Sequence, residues 1–89
     1  MTPQEMLWVR QLVLSYSAYR GYVQILYDAD MKLTTLKHPR SEFFRRRRRA
    51  LGNVQKYQKL LGVQILSQAV IDNELLNQQG NTNDAARGR

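Results

Sequence analysis

The fold is decided by residues 2–29, TPQEMLWVRQLVLSYSAYRGYVQILYDA. Thr2 is a candidate N-cap, Pro3 falls at the first helical position, and Glu5 completes a capping box. No proline follows before Ala29, and Gly21 is the only strong helix breaker. Trp8, Val9, Leu12, Tyr16, Tyr19, Val23, Leu26 and Tyr27 recur at spacings that place them on one broad helical face, a helix period and not a strand period. The stretch predicts a helix over about residues 3–29. A second, narrower stripe of Leu7, Leu14, Ala18 and Ile25 lies on the other side. It marks either a third helix packed within the chain or an oligomer interface between copies.

Outward from this helix, Met31 to Arg40 reads as a basic loop (31–40). His38-Pro39 disfavours helix at its end, and Leu33 and Leu36 are expected to pin it to the core. Ser41 is the expected N-cap of a second helix over about 42–77. Its seam reads Phe44, Arg47, Leu51, Val54, Gln58, Leu61, Ile65, Gln68, Asp72 and Leu75, with Phe43, Ala50, Tyr57 and Leu76 flanking it. Gly52-Asn53 is a possible break, but the seam keeps its phase there, which favours one continuous helix. Gly62 is a second soft spot. The expected fold class is all-α, an antiparallel helical hairpin or three-helix bundle, in a single helical domain over 1–79. Residues 80–89 have no apolar side chain larger than alanine and are expected to form a disordered tail.

Charge is concentrated in one segment. The chain carries a formal net charge of +7. Ten basic residues and a single acid, Glu42, fall between Lys32 and Lys59, while the rest has four basic residues and six acids. Such asymmetry points to nucleic acid, an anionic membrane surface or an acidic protein surface. Arg45 to Arg49 are the centre of it. Guanidinium groups bind phosphate oxygens bidentately and keep their charge. Arg45, Arg46, Arg48 and Arg49 are therefore the candidate nucleic-acid-binding residues, extended by Lys37, Arg40, Lys56 and Lys59. Arg47 alone points at the seam and is expected to serve folding. Asp28 and Asp30 are expected within reach of the arginines. Basic residues in the first half of the second helix, with Asp72 and Glu74 near its far end, run against the helix dipole and hint at an external anion.

No catalytic constellation is present. The seven acids are scattered, Ser15 and Ser17 have no histidine at helical spacing, and there is no Gly-rich phosphate loop or zinc spacing. There is no cysteine and one histidine, His38, so no cofactor or metal is expected and the chain reads as non-enzymatic. No apolar run approaches the roughly 20 residues of a membrane span, and no secretory signal pattern opens the chain. An intracellular, soluble protein is expected.

Ala18-Tyr19-Arg20, followed by Ser41-Glu42-Phe43-Phe44-Arg45, resembles the LYR-motif proteins, small basic helical accessory and assembly factors of mitochondrial complexes. Alanine stands where that motif has leucine, and the apolar and basic residues that usually follow are not matched. The resemblance covers these few residues. It implies, as an alternative, a structural or assembly subunit docking by its apolar helix faces into a larger complex. The primary expectation is nucleic-acid binding with little sequence specificity, by a homodimer built as a four-helix bundle.

Overall fold

The computed structural model describes residues 1–74. The chain is all-α: helix α1 spans Pro3–Asp30 and helix α2 spans Arg40–Leu61, and a third helix, α3, begins at residue 68 and continues to residue 74. Helices α1 and α2 form an antiparallel hairpin. Asp30 pairs with Arg40 at the closed end, Tyr22 meets Phe43 further along, and Tyr19 packs with Ala50 and Leu51 beyond that. The tail expected over residues 80–89 lies outside the described residues.

The start of α1 follows its sequence. Thr2 Oγ1 accepts from the Glu5 N–H at 3.1 Å, and the Glu5 carboxylate accepts from the Thr2 N–H at 3.0 Å. These two bonds satisfy helix-end donors that otherwise have no partner. The backbone bond holds the Glu5 carboxyl below its ordinary pKa. At the other end, Lys32 takes a left-handed φ of 60°. Its N–H donates to Ala29 O and the Leu33 N–H to Asp28 O, the paired bonds of a Schellman stop.

Helix α2 runs through Gly52 without a break and starts slightly earlier than expected, at Arg40. Pro39 is its N-cap, with no side-chain cap bond, so Ser41 is not the cap but lies inside the first turn. The larger correction is at the far end. The helix expected to reach residue 77 stops at Leu61. Gly62 adopts φ 69°, and the Gly62 and Val63 N–H groups donate to Lys59 O and Gln58 O. A left-handed residue costs glycine little, so the chain turns at Gly62 and not at Gly52-Asn53.

A polar position within the apolar seam builds this turn. The buried Gln58 side chain accepts from the Ile65 and Leu66 N–H groups at 2.8 and 2.5 Å and donates to Leu66 O at 3.1 Å. Ser67 then caps α3, its hydroxyl accepting from the Val70 N–H at 3.2 Å.

The core is formed by Tyr19, Ala50, Leu51 and Ile71, with Val23 and Leu66 packed against it. Leu12, Leu26, Phe43 and Val54 are also buried. Helix α3 thus closes the hairpin through Ile71. Several expected positions differ. Phe43, not Phe44, is buried on α2, Tyr27 is exposed, and Ile65 is exposed because the helix ends before it. Leu33 is exposed, leaving the half-buried Leu36 to hold the connection. The stripe of Leu7, Leu14, Ala18 and Ile25 is exposed throughout and is not covered by residues 68–74 of α3.

Candidate nucleic-acid interface

The geometry of α2 sorts the arginine run into three environments. At about 100° per residue, Arg45, Arg48, Arg49, Lys56 and Lys59 fall within an arc of about 100°, centred opposite the buried Phe43, Ala50, Leu51, Val54 and Gln58. All five cations are exposed. They extend for about 21 Å along the helix at about 1.5 Å per residue. Gly52 lies inside the arc, with open space where a side chain would stand.

Arg46 leaves this arc. It turns towards α1 and shares a groove of about 310 Å³ with Leu14, Ala18, Tyr22, Arg49 and Asn53. Glu42 holds it at 2.9 Å and holds Arg45 at 2.6 Å. Hydrogen bonds from Arg45, then Arg46, keep the Glu42 carboxyl below its ordinary pKa. Arg45 is exposed, and ion pairs at the surface are weak and screened by salt, so a phosphate group can compete for it.

Arg47 points inward and pairs with Glu74 of α3. Only 16% of its side chain and 22% of that of Glu74 is exposed. Tyr19 stands beside the pair, and burial, followed by the charge of Glu74 and a hydrogen bond to it, pushes its phenol up to about 12. Arg47 Nε is buried without a partner among the described residues. The residue is thus a tie between α2 and α3.

Arg40 is tied to Asp30 at 2.5 Å, whereas Asp28 accepts from Gln24 at 2.8 Å and pairs with no arginine among the described residues. Lys37 is exposed on the connection. Lys56 lies 5.3 Å from the Tyr57 ring centre. Of the eight candidate residues, the structure aligns five on one face, leaves Lys37 near the start of α2, and engages Arg40 and Arg46 elsewhere.

Two features escape sequence reasoning. One is the sharing of Glu42, which its spacing of three and four residues from Arg45 and Arg46 would have indicated. The other is the Arg47–Glu74 tie, which depends on the turn at Gly62. That turn also removes the adverse dipole arrangement, because Asp72 and Glu74 belong to α3 and not to the C-terminal end of the arginine helix.

Among the described residues, no group of three or more His, Asp or Glu side chains is placed to hold a metal, and no helix is long and apolar enough to cross a membrane. No protein-family model, curated protein or solved structure matches the chain. Tyr19, the central residue of the stretch that resembles the LYR motif, is buried in the core.

Proposed function

We propose that the protein is a non-enzymatic, nucleic-acid-binding module that grips the phosphate backbone through the outer face of α2. The observation that carries this reading is the alignment of Arg45, Arg48, Arg49, Lys56 and Lys59 on one exposed arc. No acid lies between them on that arc. The arc presents charge and no base-reading aromatic or amide, so affinity is electrostatic and nearly independent of sequence. Binding of labelled duplex DNA and of RNA over a salt series tests it. Each duplex phosphate that the protein ceases to neutralise lowers the slope of log affinity against log salt by about 0.9. Arg45→Gln/Arg48→Gln/Arg49→Gln should lower it by about 2.7 with helicity intact, because all three side chains are outside the core. An unchanged slope in this variant would place the site elsewhere.

A second reading rests on the exposed Leu7, Leu14 and Ile25. In it the chain is a structural or assembly subunit, docked by α1, and the cationic arc meets an acidic protein surface. Failure to bind either nucleic acid even at low salt favours this reading.

A further inference from the structure

The outer stripe of α1 has a pattern that matches itself. We propose that it is a two-fold interface on which α1 of a second copy lies antiparallel, Leu14 of each copy seated against Ala18 of the other. The inference does not rest on the nucleic-acid reading, since it is argued from the residues of α1.

Leu7, Leu14, Ala18, Gly21 and Ile25 follow one another at intervals of seven, four, three and four residues. These are the intervals of a coiled-coil seam. Every one of these positions is exposed, Leu7 by 51% and Leu14 by 54%. Gln11 completes the seam between the two leucines.

Reversing the helix about residue 16 maps the seam onto itself. Leu7 then meets Ile25, Leu14 meets Ala18, and Gln11 meets Gly21. Each bulky residue near the centre faces a small one, and the same patch serves both copies, as an isologous contact requires. A parallel pair would place Leu14 on Leu14 and leave Gly21 on Gly21 with nothing between.

Gly21 is a second, separate observation. A glycine inside a helix is unfavourable relative to alanine, and among the described residues nothing beyond its own helix backbone comes within 4 Å of where its Cβ would stand. No neighbour among the described residues calls for a glycine there. A side chain arriving from outside, Gln11 of the second copy, uses the space.

Charge favours the same orientation. Asp28 lies on the seam near the C-terminal end of α1, where its own helix dipole disfavours it. Antiparallel pairing carries it away from its counterpart, to Gln4 at the N-terminal end of the other α1, where Glu5 caps the helix. Parallel pairing would place Asp28 against Asp28. Of the cationic arc, Arg49 borders the interface, in the groove it shares with Leu14 and Ala18.

Sedimentation of the full chain, with and without Leu14→Lys, tests the surface. Twice the 10.4 kDa chain mass is expected for the native protein. The variant should sediment as a monomer with unchanged helicity, because Leu14 lies outside the core. A native monomer, or a dimer indifferent to Leu14→Lys, overturns the proposal. Orientation is read by disulfide trapping, since the chain has no cysteine. Leu14→Cys mixed with Ala18→Cys should form the mixed disulfide, because facing Cβ atoms come within about 4 Å. Leu14→Cys that bridges to itself as readily as to Ala18→Cys overturns the antiparallel register.

Discussion

Replacing Arg47 by methionine isolates the tie between α2 and α3. The substitution keeps an unbranched apolar stem and good helix propensity and removes only the guanidinium. Glu74, with 22% of its side chain exposed, is then left with Tyr19 as its remaining neighbour. Breaking a fully buried pair by removing one partner costs about 3–5 kcal/mol, and an exposed pair is worth about 0–1 kcal/mol. The exposures of 16% and 22% place this pair towards the buried limit. The unpartnered Arg47 Nε offsets part of the gain, because a buried donor without an acceptor is itself unfavourable. The expected loss is therefore about 2 kcal/mol, or a fall of about 8–16 °C in Tm for a chain of this size. Glu74→Leu should cost a similar amount by stranding the guanidinium. The double variant should return to within about 1 kcal/mol of the native protein, since apolar side chains often replace a buried pair without loss. Urea unfolding followed by far-ultraviolet circular dichroism gives all three values. A coupling energy near zero, with the two single losses simply adding, would refute the tie.

Two further outcomes test the helices themselves. Gly52 is exposed within α2 with open space around its missing side chain, so Gly52→Ala should stabilise the protein by about 1 kcal/mol, read as a rise of about 4–8 °C in Tm; a fall would mean that the arc is packed against something. Burial and Glu74 raise the Tyr19 phenol from 10.0 to about 12, so the native state favours its protonated form. The stability it contributes is complete below its unfolded value and is lost as pH rises from there through about 12. Tyr19→Phe should flatten that alkaline loss, and an identical pH profile in the variant would show that Tyr19 does not cause it.

The long apolar period of α1 and its capping box are legible in the sequence because both are local: neighbouring residues decide them. The outward placement of Arg45, Arg48 and Arg49 is legible for the same reason, since burying Phe43, Ala50, Leu51 and Val54 on one side of α2 leaves these arginines on the other. The end of α2 is not. The seam keeps its phase across Gly62, so hydrophobic spacing alone continues the helix, and the competing influence is a backbone conformation that glycine adopts easily. Gln58 compounds this, because a glutamine on an apolar face reads as a defect until the N–H groups it serves are known. The helical period turns Arg47 inward, but its partner depends on where α3 returns. No local pattern encodes that.

The Gln58 amide changes how the end of the molecule opens. A short connection between helices would ordinarily be the first segment to exchange its amide hydrogens with solvent. Here the Ile65 and Leu66 N–H groups are bonded to a buried side chain of α2, so their exchange requires the Gln58 side chain to leave its place. The last turn of α2, the connection and the start of α3 are thereby coupled into one cooperative unit. Opening then proceeds as the release of that whole unit from Tyr19 and Leu51, not as a gradual fraying from the loop.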